Sequence, residues 1–158
     1  MKAITRHSAN NLNNLYHSIQ AESSSMNERN DCAVVAISIV TGVPYKEVHV
    51  ALKDAGRKNR EGTYQHESKR AIEALGFKAR SWSFMEYQRM INSYPANHSQ
   101  LHNITSHHPN RFPKQWAGKT NLLLFSRHHV LALMDGKVQD WSVRNSLRIV
   151  YIWEITKA

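Results

Sequence analysis

Residues 30–42, NDCAVVAISIVTG, form the stretch that decides the fold of this chain. The interior of the stretch is apolar almost throughout, and apolar periodicity alone does not separate a buried helix from a buried strand. The flanking residues favour a helix, because Asn30 and Asp31 are good N-caps and Gly42 is typical of a helix end. We therefore predict a central, buried helix that begins at Cys32.

Further helices are expected immediately downstream of this one. Pro44 suits the first turn of a second helix, which ends at Gly56. A third helix is predicted over about residues 67–75 and is closed by Gly76. The apolar face of the second helix carries Val48, Ala51, Leu52 and Ala55.

The character of the sequence then changes from helical to strand-like. Residues 84–91 are predicted as a short helix and residues 92–119 as a loop. Helices first and strands later predict an α+β domain in which the helices pack on an antiparallel sheet. The predicted strands are residues 77–82, 121–125, 129–134, 137–141 and 147–155.

The chain length of 158 residues predicts a single domain over residues 1–158. Residues 1–26 are polar and rich in Asn and Ser, which predicts an N-terminal arm or a short helix rather than an ordered part of the core. The helical spacing of Leu12, Leu15 and Ile19 is the argument for the short helix.

Composition narrows the class of protein. The chain is 41% hydrophobic and 21% charged, which excludes a disordered tail. Its 21 Lys and Arg against 12 Asp and Glu give a net charge of +9, which favours an acidic partner: nucleic acid, an anionic membrane surface or an acidic protein. A single cysteine excludes intrachain disulfides. With no apolar run of signal-peptide or membrane-span length, we expect no membrane partner and a reducing, cytoplasmic environment.

A β-hairpin near the C-terminus is the first element that indicates chemistry. The dipeptide Asp-Gly at residues 135–136 lies between two strand-like runs and predicts a two-residue type I′ turn. That turn pairs Met134 with Lys137 and, further along the same ladder, places Leu131 opposite Asp140.

This register predicts a histidine–carboxylate pair. His129 lies two residues from Leu131 and should share its face of the sheet, so that His129 and Asp140 are diagonal neighbours about 7–8 Å apart at the backbone. His128 should point to the other face. A three-residue loop would change the parity and favour His128 instead.

A cysteine at the start of a buried helix completes a catalytic set. The free N–H groups and the positive end of the helix dipole stabilise a thiolate at Cys32. Cys32 is then the candidate nucleophile, His129 the base and later the acid, and Asp140 the group that orients the imidazole. The oxyanion would be held by the Cys32 backbone N–H and one side-chain amide. The alternative is that Cys32 is an inert core residue and His129 a structural histidine.

The segments NDCAVVAISIVTGVPYKEVH, GRKNREGTY and RHHVLALMDGKVQDW resemble those of small phage-encoded proteins of the papain-like cysteine peptidase fold, and of the bacteriocin-processing cysteine peptidases. The resemblance covers roughly residues 27–155. It implies that Cys32, His129 and Asp140 occupy the triad positions and that Trp141 shields the third triad member. Trp141 and His128 are expected at the cleft wall.

One position departs from the papain-like pattern. These enzymes usually carry a Gln a few residues before the nucleophile, where it donates to the oxyanion. No Gln lies between Ala21 and Asp31 here. The candidate donors are Gln20, Asn27 and Asn30.

Two functions follow as expectations. The first is a papain-like cysteine hydrolase, a phage-encoded peptidase or isopeptidase, which acts without a cofactor on a peptide or protein substrate in the host cytoplasm or the virion. The second is a catalytically inactive domain of the same fold that binds nucleic acid, or a host or virion protein, through a basic patch. No metal is expected, because the spacing of His98, His102, His107 and His108 matches no zinc pattern. The basic patch would consist of Lys58, Arg60, Lys69 and Arg70.

Overall fold

A computed structural model describes residues 19, 21–26, 28–83, 121–134, 137–139 and 151–158 of the chain. In these ranges a helical first part is followed by strands that form a single sheet. The labelled helices are α1 (Cys32–Thr41), α2 (Tyr45–Asp54) and α3 (Gln65–Ala74). The strands are β1 (Phe77–Ser81), β2 (Asn121–Phe125), β3 (Val130–Met134), β4 (Lys137–Gln139) and β5 (Tyr151–Lys157).

The sheet has five strands in the order β1-β5-β2-β3-β4, and every neighbouring pair is antiparallel. The predicted α+β architecture, with helices on an antiparallel sheet, is therefore confirmed for the described residues. Strand β5 lies between β1 and β2, so β1 is hydrogen-bonded to the rest of the described sheet only through β5. The predicted helix at 84–91 and loop at 92–119 lie outside the described residues.

Helix α1 is the centre of the core, as its apolar sequence predicts. Every residue from Ala33 to Val40 is buried, and α1 packs on β2 and β3. Asn121, the first residue of β2, ties the two layers together because its Nδ2 donates to the Val40 carbonyl oxygen at 2.8 Å. The helix ends at Gly42, which adopts a φ of 74° in the left-handed region and donates its N–H to the Ser38 carbonyl.

Helix α2 packs on α1, and α3 packs on α2 and β1. Pro44 immediately precedes α2, and Val48 and Leu52 are buried on its inner face. Helix α3 begins at Gln65, earlier than predicted, because Glu67 reaches back to accept from the Tyr64 N–H at 2.8 Å in a capping box. The predicted helices are thus confirmed, with shifted ends.

The N-terminal segment contributes to the core, contrary to expectation. Residues 21–25 are helical, Ile19 is only 2% exposed, and it belongs to the main hydrophobic cluster. Ser23 is buried as well. The predicted short helix agrees with residues 21–25, whereas the expectation that the segment would not be an ordered part of the core is wrong at Ile19. A polar helical stretch needs only one large apolar side chain to pack on the core. Residues 1–18 and Gln20 lie outside the described part.

The C-terminal hairpin has the predicted register. Met134 pairs with Lys137, and the ladder continues to Ala132 opposite Gln139. The Asp-Gly turn and Asp140 lie outside the described residues. Strand β5 covers Tyr151–Lys157 rather than residues 147–155, of which 147–150 are not described.

Among the described residues, no helix is both long enough and apolar enough to cross a membrane.

Candidate functional site

A cleft of about 190 Å³ opens where the start of α1 meets the end of the β2–β3 hairpin. Cys32 lines it from the helix, and His128 and His129 line it from the hairpin. The structure therefore brings the predicted nucleophile and the predicted base into one cleft, although they are far apart in the sequence.

Cys32 is the first residue of α1 and is half-buried. The first bond of the helix runs from the Val35 N–H to the Asp31 carbonyl at 3.0 Å, so the N–H groups of the first three helical residues have no acceptor within the helix. The side chain of Asp31, at the N-cap position, does not cap them. The positive end of the α1 dipole is therefore left open beside the thiol.

The Asp31 carboxylate is held elsewhere by a buried tyrosine. The Tyr45 hydroxyl donates to Asp31 Oδ2 at 2.7 Å, and Tyr45 is completely buried. Burial raises the pKa of the Tyr45 phenol, and the hydrogen bond to Asp31 raises it further, so that the phenol stays protonated as a donor. This contact withdraws an anion from the N-terminus of α1.

The histidines are presented by a short, closed hairpin end. The Ser126 N–H and Oγ both donate to the His129 carbonyl oxygen, at 2.8 and 3.1 Å, which leaves Arg127 and His128 at the tip. Both histidines line the cleft, including His128, which is expected at its wall. Strand β3 begins at Val130, one residue later than predicted, so both histidines precede the strand.

The cleft is also lined by an amide side chain that the sequence did not indicate. Gln65, the first residue of α3, lines the cleft together with Thr63 and Tyr151. Burial raises the pKa of the Tyr151 phenol, and a hydrogen bond with Gln65 offsets part of that rise. No local pattern marks Gln65, because its position beside Cys32 depends on how α3 packs.

The predicted oxyanion donors are placed differently. Asn30 does not line the cleft, and its Nδ2 donates to the Arg60 carbonyl oxygen at 3.1 Å. Asn27 and Gln20 lie outside the described residues. Among the described residues, Gln65 is thus the side-chain amide that shares the cleft with Cys32.

A buried ionic cluster anchors the segment that leads into α1. Both carboxylate oxygens of Glu28 accept from the Arg57 guanidinium at 3.2 Å, and Oε2 also accepts from His49 Nε2 at 2.6 Å. The side chains of Glu28 and Arg57 are each 1% exposed. Burial by itself would raise the pKa of Glu28, but the hydrogen bonds from Arg57 and His49 lower it to about 2.

The same carboxylate also fixes the loop after α2. Glu28 Oε1 accepts from the Arg60 N–H at 2.6 Å and from the Arg29 N–H at 3.1 Å. Because Glu28 lies four residues before Cys32, the cluster determines where the chain enters α1. No sequence pattern indicated the cluster, since its members are polar residue types that are commonest on surfaces.

Gln139, the last residue of β4, is a buried polar residue of the C-terminal hairpin. It is 1% exposed and lies opposite Ala132, whose side chain is part of the core cluster under α1. Neither its side-chain oxygen nor its side-chain nitrogen has a hydrogen-bond partner among the described residues. An unsatisfied buried amide is costly and normally has a structural or functional reason.

The remaining predicted residues either lie outside the described part of the chain or do not line the cleft. Asp140 and Trp141 lie outside the described residues. The described residues hold no group of three or more side chains suited to a metal ion. The four residues of the predicted basic patch are exposed, as any solvated cation is: Lys58, Arg60, Lys69 and Arg70.

Comparison with known proteins found no match to the chain among protein-family models, curated proteins or solved structures.

Proposed function

We propose that this chain is a papain-like cysteine hydrolase that cleaves peptide or isopeptide bonds at the Cys32 cleft. The observation that carries the proposal is that Cys32, at the open N-terminus of a buried helix, and His129, at the end of a hairpin, line the same cleft. A helix mouth and a nearby imidazole are the two features that favour a thiolate. Packing of the Cys-bearing helix on an antiparallel sheet agrees with the papain-like layout.

The chemistry assigns one role to each group. His129 takes the thiol proton, and the Cys32 thiolate attacks the scissile carbonyl to form a tetrahedral oxyanion. His129 then returns the proton to the leaving amine, and water hydrolyses the resulting thioester. Asp140 would orient the imidazole, an assignment that rests on the hairpin register observed as far as Gln139.

The oxyanion needs donors in place of the missing upstream Gln. The Cys32 backbone N–H has no acceptor within α1, and Gln65 lines the same cleft. We assign these two groups to the oxyanion. Preorganised donors of this kind lower the barrier because they are aimed at charge that develops only in the transition state.

The test is the rate of Cys32 alkylation by iodoacetamide. A thiolate paired with His129 should react at neutral pH much faster than a free thiol does. His129→Asn should slow the reaction at pH 7 by about tenfold or more. Cys32→Ser should abolish labelling.

The same measurement distinguishes the contributions of the two adjacent histidines to the reactivity of the thiol. His128→Asn should slow alkylation less than His129→Asn does, and the exposed His66, which does not line the cleft, supplies the unaffected control His66→Asn. A wild-type thiol that reacts at pH 7 no faster than free cysteine, or one indifferent to His129, would contradict the proposal.

The alternative is an inactive domain that binds nucleic acid through its basic residues. Those residues are exposed, but charged residues are exposed on most protein surfaces, so their exposure does not favour nucleic-acid binding. It would be supported by an unreactive Cys32 together with nucleic-acid binding that weakens steeply with added salt, as counterion release requires.

A further inference from the structure

The tip of the β2–β3 hairpin places two cationic residue types at the rim of the cleft. Arg127 and His128 are both exposed, and both line the cleft together with Cys32. Within the described part of the chain, neither side chain takes part in a hydrogen bond or an ion pair. The hydrogen bonds from Ser126 to the His129 carbonyl oxygen hold the backbone of the tip, and so fix the positions from which these two side chains extend. A guanidinium held at a cleft without such a partner is available to a ligand.

The rest of the described lining does not offset this charge. It contains no Asp or Glu, and its polar side chains are hydroxyls, an amide and the imidazole of His129. Helix α3 closes its own N-terminus with Glu67, whereas that of α1 is uncapped by Asp31. The open dipole end of α1 and the Arg127 guanidinium therefore act on the cleft with the same sign.

We propose that the cleft recognises a carboxylate on its peptide substrate, and that Arg127 is the specificity-determining residue, with His128 beside it. This inference rests on the proposed function, because it takes the Cys32 cleft to be where the substrate binds. The planar fork of an arginine matches the two oxygens of a carboxylate. The carboxylate can belong to an Asp or Glu side chain or to a free C-terminus.

Three methanethiosulfonate reagents of different charge test the field at Cys32: anionic sulfonatoethyl, cationic trimethylammonioethyl and neutral methyl methanethiosulfonate. All three form a disulfide with the thiolate and release methanesulfinate, and because they also differ in size and intrinsic reactivity, each rate is divided by the rate of the same reagent with a small free thiol. At low ionic strength the normalised rate of the anionic reagent should be about tenfold higher than that of the cationic one. Added salt should shrink this ratio, because it screens exposed charges.

Matched variants assign the preference to one residue. Arg127→Gln should reduce the ratio of anionic to cationic rates by roughly threefold to fivefold, while Arg127→Lys should retain most of it. Lys46, which is exposed on α2 and does not line the cleft, supplies the control Lys46→Gln, for which the ratio should not change. A wild-type ratio at or below one, or a ratio that Arg127→Gln leaves intact, would overturn the proposal.

Peptides then identify the source of the carboxylate. Acetyl-AAEAA-amide, acetyl-AAQAA-amide and acetyl-AAQAA with a free C-terminus are compared as protectants of Cys32 against the neutral reagent. Protection by the first peptide alone supports an acidic side chain, and protection by the third alone supports a C-terminal carboxylate. Protection that is absent or equal for all three contradicts carboxylate recognition.

The failure of this inference is distinguishable from that of the proposed function. If the cleft is indifferent to charge but the protein is a cysteine hydrolase, the reagent ratio is near one while alkylation still depends on His129. If the thiol is not activated, the dependence on His129 disappears whatever the reagent charge.

Discussion

The guanidinium of Arg57 binds both carboxylate oxygens of Glu28 at 3.2 Å, in a site where each side chain is 1% exposed. A buried ion pair is strongly destabilising when only one partner is removed, because the other charge is left without compensation. The pair thus makes the path of the chain into α1 dependent on one carboxylate.

Glu28→Gln should lower the free energy of unfolding by about 3 kcal/mol or more at pH 7. The charge on Arg57 would stay buried and the bidentate bond would be lost. Urea denaturation measures the effect, and Glu47→Gln, which removes an exposed carboxylate from α2, is the matched control. A loss no larger than that of the control would show that the pair contributes little.

The same carboxylate gives stability a defined pH dependence. The pKa of Glu28 is lowered from 4.5 to about 2 in the folded protein, so its contribution is complete above pH 4.5 and is lost as the pH falls toward 2. The wild type should therefore lose on the order of 3 kcal/mol from this group over that range. The comparison is made by urea denaturation at several pH values, and Glu28→Gln should lack this component of the acid dependence.

Tyr45→Phe should affect both stability and the reactivity of the thiol. Without the hydroxyl donor, the Asp31 carboxylate is free to turn toward the N–H groups at the start of α1, where it competes with the Cys32 thiolate. We expect a loss of about 2 kcal/mol in unfolding free energy and slower alkylation of Cys32 at pH 7. The exposed Tyr64 supplies the control Tyr64→Phe. An unchanged alkylation rate would show that Asp31 has no influence on the thiol.

Gln139→Met should stabilise the protein by about 1 kcal/mol, because it replaces an unsatisfied buried amide with an apolar side chain of similar volume. Denaturation in urea measures the change. Destabilisation by a similar amount would instead mean that the amide is satisfied in solution, for instance by a buried water.

Gln65→Ala separates oxyanion stabilisation from thiol activation. Acylation of Cys32 by p-nitrophenyl acetate passes through an oxyanion, whereas alkylation by iodoacetamide does not. The variant should therefore acylate about tenfold or more slowly while its alkylation rate changes little. Equal slowing of both reactions would show that Gln65 acts on the thiol rather than on the oxyanion.

The parts of this fold that local sequence determines were predictable. Helix α1 follows from an apolar run bounded by Asp31 and Gly42, and the hairpin register follows from the Asp-Gly pair. Both depend on contacts between residues close in the chain. These local signals place Cys32 at the start of α1 and His129 at the hairpin end, whereas their presence in one cleft depends on how α1 packs on the sheet.

The features that were missed depend on distant contacts. Glu28 meets Arg57 only once α2 and its following loop have packed, and Gln65 reaches the cleft only through the placement of α3. The predicted start of β3 was one residue too early, because the ends of a strand at a hairpin depend on the turn and not on the apolar pattern.

The position of β5 determines when the cleft is completed during synthesis of the chain. Strand β1 joins the sheet only through β5, and Tyr151 of β5 forms part of the cleft wall. A nascent chain that has released α1 and the β2–β3 hairpin still lacks this wall until β5 also leaves the ribosome. The order of strands thus delays assembly of the complete cleft, so that a growing chain contains Cys32 before Tyr151 can take its place in the wall.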